Sequence, residues 1–255
     1  MSLSLKTNKI LLLFIAFLII VGIWQPNVLM DGVQRGSMYA LIALPLALVL
    51  GILGVLNLAH GDFLTVGLYL SYMLYSQFNM DPLLTMIPVT LLLIVLGGGI
   101  YLLTVKYVVD EGHLNQLLIT FGVSMILIEG VKIIWTTRPR NVFTGYAYSA
   151  FSIGDYRFGA YGLIYLLMAV VVLVGLQLFL KKTRLGQATF AVGQNPKGAK
   201  IIGINVNFVY LFVFSIAVGI LGIVGAGMLP QTAIFPSVGS PFSLKSFALA
   251  AMAGL

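Results

Sequence analysis

Three residues able to do chemistry fall together in an otherwise apolar stretch: Asn57, His60 and Asp62, within Asn57-Leu58-Ala59-His60-Gly61-Asp62. Asp62 is the only charged residue between Tyr39 and Met80. A charge at the centre of a membrane helix costs about 2.5–3.5 kcal/mol on insertion scales, so such groups face a cavity or a partner. Gly61 permits a bend, and Asn57 can cap the helix that follows or satisfy backbone freed by a break. A broken helix at membrane depth is tolerated only where it is buried in protein or lines a water-filled cavity, and such breaks form substrate sites in many transporters. Spacing leaves a second reading open, because residues 38–56 make a full span alone. The motif would then be a polar surface turn with Asp62 in water.

Catalytic readings fare worse. Ala59-His60-Gly61-Asp62 lacks the first glycine of the G-x-G-D used by intramembrane aspartyl proteases, and no G-x-S-x-G elbow or H-E-x-x-H zinc helix occurs. Glu129 stands three residues before Lys132, which predicts an intrahelical ion pair. No metal or other cofactor is expected, since the chain has no Cys, 2 His and 7 acidic residues.

The elements around these residues follow from composition. Of 255 residues, 60% are apolar and 8% charged, against about 25% charged in a soluble domain. That predicts an all-α, polytopic integral membrane protein. The formal net charge is +7, but the basic residues are dispersed between apolar blocks. Such charges set topology and meet lipid headgroups rather than nucleic acid.

With about 20 residues per span, apolar blocks fall near 10–24, 38–56, 63–79, 83–105, 114–136, 161–180, 208–229 and 241–255. This gives about seven or eight transmembrane or re-entrant helices in a single domain over 1–255. Lys6 and Lys9 precede the first block, but Trp24-Gln25-Pro26-Asn27 offers no small-x-small cleavage pattern, so a retained helix is expected. Residues 181–200 carry five basic groups (Lys181, Lys182, Arg184, Lys197, Lys200) and no acid. That places them, and with alternation the N-terminus, in the cytoplasm. Residues 137–160 then form an ordered outer loop, and Arg35 and Lys245 fall among the outer charges.

Glycines at 97–99 and at 219, 222, 225 and 227 predict close helix packing. A faint echo links Gly51-Ile52-Leu53-Gly54-Val55 with Gly219-Ile220-Leu221-Gly222-Ile223, each before a broken region.

Within 181–205, Asn195 can cap a helix, Pro196 suits its first position and Gly203 can end it in the left-handed conformation. A helix of about seven residues does not persist in water alone, so it must pack on something. A lipid-anchored basic loop and a docking element for a cytoplasmic partner both fit this pattern.

Thr183-Arg184-Leu185-Gly186, with Asn195, Ala199 and Gly203-Ile204, resembles the cytoplasmic coupling loop of the branched-chain amino-acid ABC transporter permeases, the LivH/LivM type. Gly36, Tyr39-Ala40-Leu41 and Asn57-Leu58-Ala59-His60-Gly61-Asp62-Phe63 resemble that family's N-(F/L)-A-(H/Y)-G-(D/E) signature. The resemblance covers about 29–255. It implies an inner-membrane importer subunit, not an enzyme, moving branched-chain amino acids, with urea or short amides as alternatives. Partners would be cytoplasmic ATPase subunits, a second related permease and a periplasmic binding protein. The absence of a P-loop agrees with a separate ATPase. Implied pathway residues are Tyr39, Asn57, His60, Gly61 and Asp62; implied ATPase-contact residues are Arg184, Gly186, Asn195, Pro196, Ala199, Gly203 and Ile204. The family continues with a Gly-Gly segment and further spans, whereas this chain reads Phe247-Ala248-Leu249-Ala250-Ala251-Met252-Ala253-Gly254-Leu255. That difference implies C-terminal truncation. An ion-coupled secondary transporter is the rival, with Asp62 and Glu129 as its coupling charges.

Overall fold

A computed structural model describes residues 15–153 and 156–254, with the side chains of 153 and 156–157 outside the description. Lys6, Lys9 and the start of the first block lie outside the described residues.

Among the described residues ten α-helices follow one another: α1 Ile15–Trp24, α2 Pro26–Leu53, α3 His60–Phe78, α4 Met86–Leu103, α5 His113–Trp135, α6 Tyr161–Lys182, α7 Arg184–Gln194, α8 Pro196–Ile201, α9 Val206–Met228 and α10 Ser240–Met252. Five of these runs are long and apolar enough to cross a bilayer; the chain is a polytopic α-helical membrane protein. A two-stranded antiparallel hairpin, β1 Ala150–Ile153 with β2 Tyr156–Gly159, is an addition to the all-α expectation.

Contacts fix two opposite faces. The hairpin face carries β1 and β2, the starts of α2 and α6, and the loop after α3, where the Tyr146 hydroxyl donates to the Asp81 carboxylate at 2.8 Å. Arg140 ties the same face together. Its backbone pairs with Ile234 at 2.8 and 3.0 Å, and its guanidinium lies 5.0 Å over the Tyr72 ring. The opposite, basic face carries α7, α8 and the α4–α5 connection, with Asp110 beside Lys197 and Lys200.

Helix α9 is the central post. In its most apolar stretch 72% of residues are buried, against 17% in α6, and a helix apolar on all sides belongs in a core. Its glycines let neighbours in. A Cβ on Gly222 would meet the Thr90 backbone of α4, and one on Gly225 the backbone of α3 at Gly67 and Leu68. Gly97 admits Val218 in return, while Gly99 faces open space. The expected close packing therefore holds at most of the glycines singled out. Exposed Val95, Ile126 and Ile133 suit contact with lipid.

Two boundaries differ from the sequence reading. Helix α2 begins at Pro26, not near 38, because Asp31, Gln34 and Arg35 interrupt the apolar pattern without interrupting the helix. Residues 184–194, read as loop, form α7. The region 229–239 is broken, as the sequence reading expects: a short turn at Leu229–Gln231 precedes Ile234, and the chain then reaches Gly239 and α10.

Candidate functional site

Two broken helices meet inside the protein. Helix α2 runs from the hairpin face to the basic face and stops at Leu53, with Gly54 at φ +66° turning the chain back. Residues 54–59 then climb again, because His60 contacts the Ile42 carbonyl, eleven residues before the end of α2. At 1.5 Å per residue that is about 16 Å back along the helix. Since the carbonyl can only accept, His60 Nε2–H donates, at 2.7 Å. Pro45 has no N–H for the Leu41 carbonyl, which loosens α2 at this level.

The break is satisfied from within. Asn57 Oδ1 accepts the Ala59 N–H at 3.1 Å. The Thr120 hydroxyl of α5 accepts the Leu58 N–H at 3.2 Å and lies 3.1 Å from the Leu56 carbonyl. Asn57, His60 and Asp62 are each 3% exposed. Between the two openings left by spacing, the structure takes the buried break over the surface turn.

The second break places Gly239 directly on Gly61. A Cβ on either glycine would overlap the other's backbone carbonyl, so only glycine fits at both. The helix starts exchange hydrogen bonds: the Gly61 N–H donates to Ser243 Oγ at 2.7 Å, and the Gly239 N–H donates to Thr65 Oγ1 at 3.0 Å. Each thereby satisfies an amide that a helix N-terminus leaves without an internal partner. Asp62 lies in the first turn of α3, near the starts of both helices. Ser124 of α5 stands beside it.

Tyr39, grouped by sequence with these four residues, shares none of their hydrogen bonds and meets α10 at Phe242 and Lys245. It lies half-buried on the α2 face that also carries Asp31 and Arg35. Its hydroxyl accepts from Lys245 Nζ at 3.0 Å, with that ammonium 4.9 Å over the ring. Lys245 is thus not an outer charge. It sits six residues past Gly239, level with the middle of α2. Arg35 and Lys245 had served only to count topology charges; their joint position near Tyr39 depends on α10 folding back, which no local pattern signals. Glu129 pairs with Lys132 at 2.7 Å, as spacing predicts.

At the basic face, the Thr183 hydroxyl caps α7 by accepting the Gly186 N–H at 2.9 Å, and Asn195 Oδ1 caps α8 by accepting the Gly198 N–H at 2.9 Å. Pro196 takes the first position of α8. Gly203 follows its end at φ +86°, with the Ile204 N–H returning to the Ala199 carbonyl at 3.0 Å. Gly186 lies against the Phe179–Leu180 backbone of α6, and Gly193 against Ile52 at the end of α2. Buried Ala199 fastens α8, while Arg184, Lys197, Lys200, Ile201 and Ile202 are exposed.

Comparison with known proteins gives the family of the chain. The model of a family described as "Branched-chain amino acid transport system / permease component" matches residues 28–255. The chain is similar to the high-affinity branched-chain amino acid transport system permease protein BraD of Pseudomonas aeruginosa, at 25% identity over 89% of this chain and 78% of that one. It is similar to the probable branched-chain amino acid transport permease protein LivH of Methanocaldococcus jannaschii, at 27% over 93% and 77%. The ribose import permease protein RbsC of Haemophilus influenzae is 28% identical over 94% of this chain and 75% of that one. No solved structure gives a significant match.

Proposed function

Because this chain belongs to the branched-chain amino acid transport system permease family, we propose that it forms half of the pathway of an ATP-driven importer in the inner membrane. Its cargo is branched-chain amino acids. The basic face lies in the cytoplasm and meets separate ATPase subunits; the hairpin face receives cargo from a periplasmic binding protein. A second related permease supplies the other half.

One observation carries this reading: the packed connection from α8 through α7 to the crossing of the two broken helices. Helix α8 offers a basic surface with two exposed isoleucines, and α7 holds it against the end of α2 through Gly193 and Ile52. Gly54, two residues beyond Ile52, starts the buried return to His60 and Gly61. A displacement imposed on α7 and α8 by ATPase closure therefore moves the last turn of α2 and the segment that positions α3. Where α3 and α10 start, no side chain separates Gly61 from Gly239, so the two helix starts can slide or part as units. Asn57, His60 and Asp62 act here as framework for the moving junction, and Tyr39 faces the pathway.

The test is reconstitution of the permease with its ATPase and binding-protein partners in vesicles. Radiolabelled leucine should accumulate only with ATP on the basic-face side. Accumulation of ribose without leucine would overturn the substrate assignment, and accumulation driven by an ion gradient without ATP would overturn the importer class.

A further inference from the structure

We propose that the outer half of α2 carries a binding site for the zwitterionic head of the transported amino acid, in which Asp31 takes its ammonium and Arg35 its carboxylate. This rests on the importer reading and adds to it a specificity site in the permease itself.

Asp31 and Arg35 lie one helical turn apart on a shared face of α2, the spacing that ordinarily gives an intrahelical ion pair. They do not make one; Glu129 with Lys132 is the ion pair among the described residues. Both are exposed. On a membrane-spanning helix two charges left apart face water, protein or a polar ligand, not lipid. The space beside them is a cavity of about 350 Å³, bounded also by Met38, Tyr39, Tyr165 and Gln231. That lies at the small end of ligand pockets and suits a single small metabolite.

The chemistry selects which metabolite. A guanidinium forms a paired, charge-assisted contact with a carboxylate, and a carboxylate opposite it favours an ammonium. A small zwitterion with its ammonium and carboxylate close together, as in an α-amino acid, satisfies Asp31 and Arg35 together. Met38 and the Tyr165 ring then offer an apolar surface to an aliphatic side chain. A sugar or neutral amide leaves both charges without a counterpart.

The face continues inward. Tyr39 is the next residue at the same spacing, and it holds Lys245 beside the Gly61–Gly239 crossing. A carboxylate released by Arg35 meets a second cation before it reaches the junction. The polar groups thus descend from the outer mouth to the break.

Because the chain has no Cys, Met38→Cys introduces a unique thiol in the cavity. In the assembled transporter, without binding protein, labelling of this thiol by a small charged methanethiosulfonate is followed against leucine concentration. Leucine should slow labelling. Arg35→Gln and Asp31→Asn should each raise the half-protecting concentration by about tenfold or more, as for loss of a charge-assisted contact, with protection in each variant taken relative to its own labelling rate without leucine, because removing a charge beside the thiol changes that rate. Isoamylamine and 4-methylpentanoate, each with one charge, should protect far less well. Equal protection by leucine in Arg35→Gln and its parent would overturn the site. So would lack of protection in a preparation that accumulates leucine with ATP, a result that leaves the importer reading intact. Protection by ribose but not leucine, with uptake of ribose, would instead remove the reading on which the site rests.

Discussion

Replacing Gly239 by alanine tests whether the two broken helices meet as described. The added Cβ would overlap the carbonyl of Gly61. That obstacle is backbone on a helix start, so it cannot swing aside as a side chain would. Overpacking of a tight interior costs about 1–3 kcal/mol. Separating the helices also stretches the Gly239-to-Thr65 and Gly61-to-Ser243 hydrogen bonds, each worth about 0.5–1.5 kcal/mol. The sum is about 2–6 kcal/mol, a large part of a typical folding stability of about 5–15 kcal/mol. Gly99→Ala is the control. Nothing lies within 4 Å of a Cβ there, and alanine in a helix interior is favoured over glycine by about 0.5–1 kcal/mol. Thermal unfolding of the purified chain should show Gly239→Ala and Gly61→Ala well below the parent. For a chain of this size each kcal/mol moves the midpoint by about 2–4 °C. Gly99→Ala should match or exceed the parent. If Gly239→Ala unfolded together with Gly99→Ala, the crossing would be refuted.

Thr120→Val should destabilise by about 1–3 kcal/mol in the same assay, because it leaves the half-buried Leu58 N–H without its acceptor; an unchanged midpoint would mean the break is satisfied elsewhere. Tyr146→Phe removes a hydrogen bond to the Asp81 carboxylate, worth about 1.5–3 kcal/mol. Burial, then the neighbouring Asp81, pushes the Tyr146 phenol above its ordinary range. Its contribution is therefore complete below about pH 10 and lost as pH rises toward the raised value, so parent and variant should converge in alkali. Asn195→Ala should cost α8 about 1 kcal/mol. Gly203→Val should cost more, since φ +86° opposes a β-branched residue, and both should reduce co-purification of the ATPase subunits; full retention with lost uptake would remove α8 from the docking surface. A cysteine at Gln194 should react with an impermeant thiol reagent only from the cytoplasm, and labelling from outside sealed cells would invert the proposed orientation.

Which of these features the sequence disclosed depends on how local their physics is. The α8 cap was legible because Asn195 reaches only to Gly198, and the Glu129–Lys132 pair because it spans one helical turn. The polar motif at 57–62 was legible as an interruption, but its burial was not. That burial depends on Thr120, 62 residues on from Leu58, and on Ser243, 182 residues on from Gly61. Helix α7 was missed because Gly186 and Gly193 lower helix propensity; both are there for close approach to α6 and α2. The start of α2 was missed for a different reason. Hydropathy treats Asp31 and Arg35 as interruptions, whereas a helix can carry them on one face provided that face meets something polar.

That last point joins the two ends of the proposed mechanism. Helix α2 carries Asp31 and Arg35 near the hairpin face, Tyr39 at the level of Lys245, the Ile42 carbonyl that holds His60, and Ile52 against α7 near the basic face. Helix α2, at 28 residues, spans about 42 Å. The loosened turn at Pro45 lies between Ile42 and Ile52, so it is where the helix can flex. A bend there would move Ile52 relative to His60 while leaving Asp31, Arg35 and Tyr39 in register. On the proposed mechanism, cargo contacts and the ATPase lever thus occupy separate halves of one helix, joined at the turn that also anchors the buried break.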